Sequence, residues 1–534
     1  MLKHLLIILF FLSLTLNSQG QNKKYLVWLH DKNGTEYSLE HPEKYLSQRS
    51  LQRRLNQNVR IDSLDIPVLS NYVNIIRNLG VDIRCTSRWL NTVTVMTDDT
   101  LIVKQIQQLS FVDSVNLTWI EPRLKSAKMK FETLSPATFD YGTSIDQIVM
   151  HNGQEMHAMG FTGKGKWIAV LDAGFYHVNE LPAYDSLWMN NQILLTKDFV
   201  NPGGDIFETH SHGMAVLSIM GGNIPGYLIG TAPGASYMLI HTEDAASEYP
   251  VEMDYWIAGA EFADSVGADI INSSLGYSEF DDPSMSYTQH DLNGKNIRVT
   301  RGADIAVSKG ILVVNSAGNE GNKVWKSIIG PADGKKVLAV GSVNKDSTYT
   351  YFSSRGPTAD GRIKPDVAAN GYHTVVQLTN GTVGTGNGTS FSSPVMAGMS
   401  ACLWQAFPRK TAPQIRDLII SFSNRYTVPN DSVGYGIPNI YQAWLEESKK
   451  ETERFSIIKV YPNPAVKAFF VETPPGETLS VLTLYSMEGR VMEVRTLNNE
   501  FIQKIYFPEG IAPGMYVLNI VTNKRTVSQK ISVL

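Results

Sequence analysis

KWIAVLD, Lys166 to Asp172, carries five apolar residues in a row and closes on a carboxylate. A strand buried on both faces reads as such a run, whereas a strand with one wet face alternates. Runs of the same kind recur downstream: ASYMLIHT (235–242), ADIINSSLG (268–276), ILVVNSAGN (311–319) and KVLAVGSVN (336–344). Longer helical patterns lie between them, among them HGMAVLSIM (212–220), PVEMDYWIAGAEFADSV (250–266) and VTRGADIAVSKG (299–310). This alternation implies an α/β fold, a doubly wound and mostly parallel sheet with helices on both faces. In such sheets function gathers beyond the carboxyl ends of the strands.

Outward from this middle domain, assigned to residues 141–445, the pattern changes on both sides. Residues 21–122 read as a small α+β unit: strand KYLVWLH, polar helices HPEKYLSQRSLQRRLNQ and VLSNYVNIIRNLG, strands VDIRCTS and NTVTVMT, helix DTLIVKQIQQLS and strand FVDSVNL. Residues 123–140, rich in Lys, Ser and Thr and without apolar periodicity, read as a linker. Residues 446–454 (EESKKETE and its flank) read as a second, charged linker. From 455 to 534, short alternating strands separated by turn signals (MEGR, PEG, APG) give an all-β sandwich. The first twenty residues, with Lys3 ahead of an apolar stretch from Leu5 to Leu16, have the pattern of a secretory signal peptide cut after Gly20.

The composition excludes several classes. With 534 residues, 43% hydrophobic and 18% charged, the chain is globular and long enough for several domains. A net charge of −4 gives no field that would select nucleic acid. Two cysteines, Cys85 and Cys402, make no disulfide framework in an exported chain and are expected as buried thiols.

Three polar residues stand where apolar runs end. Asp172 closes the first strand, His212 opens an apolar helix in THSHGMAVLSIMGG, and Ser390 stands in GNGTSFSSPVMAG (386–398) between a glycine-rich turn and another helix. Taken singly, each is explained by a turn, a cap or a core position. Together they follow the chain order Asp, His, Ser, one of three orders in which a nucleophilic serine, its base and the orienting carboxylate occur. Seven segments in sequence, YGTSIDQI, VLDAGF, HGMAVLSIMGG, INSSLG, NSAGNEG, FSSRGPTADGRIKPDVAANG and GTSFSSPVMAG, make residues 141–443 resemble the subtilisin-like serine endopeptidases, the subtilases.

The resemblance implies peptide hydrolysis with Ser390 as nucleophile, His212 as general base and Asp172 holding its ring. Asn319, together with the Ser390 amide, is implied as oxyanion donor. It also implies that Ser274, Leu275 and Gly276 form an edge for an extended substrate, and that Ser316, Ala317 and Gly318 line the primary specificity pocket. Two positions depart from the family pattern: Met214 after the His-Gly pair, and Ala173 after Asp172, which removes a hydrogen-bonding group beside the carboxylate. Residues 21–122 resemble the inhibitory ferredoxin-like propeptide of subtilases, implying processing between about Arg123 and Tyr141; a retained accessory domain is the alternative. VYPNP (460–464), GMYVLNI (514–520) and the basic end resemble the sorting domain of type IX secretion, although an ordinary sandwich or a carbohydrate-binding module would use the same residues. The implied partners are protein or peptide substrates, the chain's own propeptide and the type IX machinery, with no nucleic acid. The protein is then a monomer, secreted or at the cell surface by way of the periplasm. No cofactor is required; structural calcium is common in subtilases, but no DxDxDG-like loop assigns a site. An esterase or peptide transferase, or a surface binding protein on a catalytically inactive subtilase scaffold, are the other readings.

Overall fold

The computed structural model describes residues 21–121, 135–136, 144–455, 457–474, 477–497 and 502–534. Residues 1–20, expected as a signal peptide, and the expected processing region 123–140 apart from the pair Ser135–Pro136 lie outside the described residues. The chain divides into two compact units at Ala443/Trp444.

The amino-terminal part of the first unit contains β1 (Lys23–Leu29), α1 (Gln48–Asn56), α2 (Ser70–Asn78), β2 (Asp82–Ser87), β3 (Thr92–Thr97), α3 (Thr100–Gln107) and β4 (Val112–Ile120). Its four strands pair antiparallel in the order β2-β3-β1-β4, the ferredoxin-like arrangement expected. Residues 31–69 form a long insertion ahead of α2, and within it α1 is capped by Ser47, whose side chain accepts the Ser50 amide.

Seven strands build the middle sheet: β5 (Trp167–Asp172), β6 (Ile193–Asp198), β7 (Ser236–His241), β8 (Ile270–Ser273), β9 (Leu312–Ser316), β10 (Leu338–Val343) and β11 (Val367–Asn370). They are parallel throughout, in the order β11-β10-β9-β8-β5-β7-β6. The chain runs to one edge and then crosses beyond β5 to β8, so the switch point falls between β5 and β8. Ile168, Val170 and Leu171 are wholly buried, as the unbroken apolar run requires. Both edge strands are absent from the sequence reading. In β6 the residues Ile193–Lys197 are half-buried or exposed, so ILLTKD lacks the signature of a doubly buried strand.

Helices α4 (His212–Gly221), α5 (Val251–Val266), α6 (Arg298–Ser308), α7 (Thr389–Ala406) and α8 (Ala412–Ser421) belong to the same domain. Between β11 and α7 run β12 (Thr374–Gln377) and β13 (Val383–Gly386), antiparallel to each other, with Ser135–Pro136 paired onto β13. Thirteen of the sixteen residues of α5 are buried, including Glu252, Asp254, Glu261 and Asp264. A helix buried all round has cover on both sides. One side is the sheet, to which Trp256 is tied by its indole N–H donating to Ser273 Oγ at 2.9 Å. The other is the amino-terminal domain. Asp264 takes Arg53 at 2.5 Å, Arg54 at 2.7 Å and Arg88 at 2.6 Å, and Glu261 accepts the Arg88 and Trp89 amides and the Ser87 hydroxyl. The insertion carries this contact on to the amino ends of the strands. There Arg49 pairs with Asp269 and lies over the Trp167 ring, Lys309 pairs with Asp62 and Asp65, and Gln57 donates to the Gly310 carbonyl and accepts the Ala412 amide.

Residues 446–454 correct the linker expectation: they continue α9 (Ile440–Phe455). Ion pairs Lys449–Glu446 and Lys450–Glu447 at i, i+3 spacing suit a charged helix as well as a solvated coil.

The second unit has β14 (Lys459–Tyr461), β15 (Ala468–Glu472), β16 (Leu479–Ser486), β17 (Val491–Thr496), β18 (Ile502–Tyr506), β19 (Gly514–Thr522) and β20 (Thr526–Val533). They form two antiparallel sheets, β14-β15-β18 and β17-β16-β19-β20, around one apolar core that includes Phe469, Leu482, Leu518, Ile520 and Ile531. Among the described residues no helix is long and apolar enough to cross a membrane. Cys402 is buried as expected; Cys85 is only partly so, and both are free thiols.

Candidate active site

Asp172 is the last residue of β5 and is fully buried. Its Oδ1 lies 2.6 Å from Nδ1 of His212, the first residue of α4, and also accepts the Ala173 amide at 2.8 Å. Its Oδ2 has no hydrogen-bond partner. Ala173 has no hydroxyl to offer this oxygen, while its backbone amide helps to orient the other. Met214 is buried, and its carbonyl accepts the Tyr184 hydroxyl at 2.6 Å.

Ser390 is the second residue of α7, which follows Gly388 at φ +145°, a backbone state L side chains rarely adopt. The ring of Phe391, its neighbour, is 6.0 Å from the His212 ring, centre to centre. Pro394 has no N–H to give the Ser390 carbonyl four residues back, and an interior proline normally breaks a helix there. Ser274 supplies the replacement: its hydroxyl donates to that carbonyl at 2.7 Å, and the Ser390 hydroxyl donates in return to the Ser274 carbonyl at 3.2 Å. Ser274, expected only as part of a substrate edge, thus also fixes the serine turn.

Asn319 follows β9 and is half-buried. Its Oδ1 accepts both the amide (2.9 Å) and the hydroxyl (3.0 Å) of Thr389, whose hydroxyl oxygen accepts the Gly318 amide at 3.2 Å. With Oδ1 so engaged, Nδ2 is the group left to donate, and it sits 3.5 Å from where a Cβ on Gly388 would be. Thr389 was not singled out from the sequence, although it lies beside Ser390 in the GTS motif.

Leu275, Ser316 and Ala317 are buried, and the Leu275 carbonyl accepts Asn315 Nδ2 at 3.0 Å, tying the ends of β8 and β9 together. Gly276 belongs to the expected substrate edge. In the structure it leaves room for Ile329: a Cβ there would fall 2.3 Å from Ile329 Cδ1. Nothing in the sequence around Ile329 marks it. Among the described residues the carboxylate group close enough to hold a cation is Glu243, Glu248 and Glu252. Glu243 already accepts the Tyr277 hydroxyl and Glu252 the amides of Asp244 and Tyr249, so these oxygens have structural uses and fit a calcium cage poorly.

A buried carboxylate paired with an imidazole, a hydroxyl at a helix start and an oriented side-chain amide thus lie at the carboxyl ends of a parallel sheet. The chain belongs to the subtilase family, whose model matches residues 163–436. Residues 24–132 match the Peptidase S8 propeptide domain of Bacteroidota, and residues 459–534 a secretion system C-terminal sorting domain. Subtilisin amylosacchariticus of Bacillus subtilis subsp. amylosacchariticus is 27% identical over 343 residues, 63% of this chain and 82% of that protein. Subtilisin of Bacillus pumilus is 29% identical over 289 residues, 54% and 94% of the two chains. The crystal structure of MycP1 from Mycobacterium smegmatis aligns at TM-score 0.45 and 22% identity, over 59% of this chain and 87% of that one. The protein is a subtilisin-like serine endopeptidase with a propeptide domain and a carboxyl-terminal sorting domain.

Proposed function

We propose that the protein is an exported endopeptidase that cleaves peptide bonds through an acyl-enzyme on Ser390. The observation that carries this is the 2.6 Å contact of Asp172 with His212, set beside a serine-bearing helix start to which Thr389 locks Asn319. As Ser390 Oγ leaves the Ser274 carbonyl and attacks the substrate carbonyl carbon, His212 Nε2 takes its proton. Asp172 holds the Nδ1–H and stabilises the imidazolium without itself becoming protonated. The oxyanion is met by Asn319 Nδ2 and the Ser390 N–H. His212 then passes the proton to the leaving amine, and water repeats the sequence to free the enzyme. An extended substrate adds to the edge at 274–276, where the freed Ser274 carbonyl can accept a substrate amide.

Asn319→Ala is expected to lower kcat by about a hundred- to a thousand-fold with KM little changed, a magnitude taken over from subtilisin. Steady-state kinetics on a peptide amide check it; an unchanged kcat would remove Asn319 from the oxyanion site.

The amino-terminal domain, held on α5 by the Asp264 and Glu261 contacts, acts in this reading as an intramolecular inhibitor removed on maturation. The carboxyl-terminal unit serves the type IX route after a signal peptide has directed entry into the periplasm. The test is digestion of an unfolded protein by the mature secreted enzyme. New amino termini from wild type and none from Ser390→Ala support the reading; equal cleavage by both refutes it.

A further inference from the structure

The primary specificity pocket of a protease on this site lies between the segment 274–276 and the segment 316–319, and the structure shows what stands in that space. Ile329 Cδ1 and Cγ1 lie 2.3 and 2.4 Å from the position of a Cβ on Gly276. The same two atoms lie 3.0 and 2.9 Å from the position of a Cβ on Gly318. One branched side chain therefore touches both walls at the two places where the walls have no side chains of their own. Ile329 is 9% exposed, so it is packed in the gap and does not project from it. Its backbone is held as well, the amide donating to the Ala317 carbonyl at 3.3 Å and the carbonyl accepting the Ala332 amide at 2.9 Å. The walls cannot spread easily, because Asn315 Nδ2 bridges the Leu275 and Ser316 carbonyls at 3.0 and 2.8 Å.

We infer that Ile329 fills the depth of this pocket and restricts the residue on the acyl side of the scissile bond to a small, uncharged side chain: alanine, serine or glycine. The inference rests on the protease reading above. A leucine, phenylalanine or lysine in that position would have to displace a β-branched side chain, which has few alternative rotamers, from between two tied strand ends. A single methylene in a tight apolar pocket already shifts selectivity about 10- to 200-fold, so a ring or a long stem is expected to be rejected by about 100-fold or more.

The test compares the mature secreted enzyme with Ile329→Ala and Ile329→Gly on peptide p-nitroanilides differing only in that residue (Ala, Ser, Leu, Phe, Lys, Glu). The cut sites made in an unfolded protein provide a second readout on wild type alone. For wild type, kcat/KM is expected to be about 100-fold or more higher for Ala than for Phe, with cuts concentrated after Ala, Ser and Gly. For Ile329→Gly the Ala-to-Phe ratio is expected to fall by about 10-fold or more, with Ile329→Ala between. Wild-type cleavage after Phe or Leu as efficient as after Ala would overturn the inference and leave the protease reading intact. If both variants fail to mature, the wild-type cut sites decide. Failure to cleave any substrate, with no phosphonate adduct on Ser390, would overturn the protease reading and the pocket with it.

Discussion

Ser390→Ala is expected to lower kcat for peptide hydrolysis by about a million-fold, the size of the effect in subtilisin, from which the magnitude is carried over. The expectation has a structural basis in this chain. No other hydroxyl occupies the start of α7 with its carbonyl clamped by Ser274, and without the nucleophile His212 has no proton to accept. The residual rate, roughly a thousandfold over water, would come from Asn319, the Ser390 amide and substrate binding. The fold is not expected to suffer, because the hydroxyl's contact in the resting structure is a single 3.2 Å hydrogen bond to Ser274. The variant should accumulate as precursor with residues 21–122 attached. Immunoblotting for the propeptide and a thermal melt separate lost chemistry from lost structure, and normal maturation of the purified variant would refute self-processing.

Asp264→Ala is expected to loosen the propeptide domain by about 3–5 kcal/mol, or about a hundred- to several-thousand-fold, because three guanidiniums would lose their shared carboxylate in a buried place. Arg53 and Arg54 come from α1 and Arg88 follows β2, so one aspartate joins the insertion and the sheet of the propeptide to α5. Burial pushes the Asp264 carboxyl up, and the three guanidiniums more than offset it, holding it below the ordinary carboxylate value. A carboxyl lowered in the folded state contributes stability that is present above its unfolded pKa and lost as pH falls through the folded one. This part of the contact therefore persists through neutral and mildly acidic solution, down to about pH 4. Amide hydrogen exchange in α1 and β2, measured on the Ser390→Ala precursor with and without Asp264→Ala, reads the loosening directly. Exchange unchanged by the second substitution would show that the ion cluster adds nothing to the hold.

Much of this architecture is legible in the chain. Unbroken apolar runs ending in polar residues give the buried parallel strands, and the polar ends of three segments give Asp172, His212 and Ser390. The edge strand β6 escapes because a sheet edge need not be apolar throughout, and β11 because VAAN is only four residues long with a single β-branched residue, although all four are buried. Glu261 and Asp264 of α5 read as a wet helix face, since their partners Arg53, Arg54, Ser87, Arg88 and Trp89 stand at least 172 residues earlier in the chain. Ile329 escapes for a related reason: an isoleucine in a loop has no signature, and its significance lies in two distant glycines. Ala173 shows the opposite case. One substitution beside Asp172 suggests a lost hydrogen bond, and Asp172 Oδ2 is indeed left without a partner.

The mature secreted protein, treated with a peptidyl phosphonate ending in alanine, digested and mapped by mass spectrometry, tests the central claim most directly. The expected result is one adduct per chain, on Ser390, formed by wild type and lost in both Ser390→Ala and His212→Ala. Proteolysis that persists with Ser390 unmodified, or an adduct carried by another residue, would contradict it.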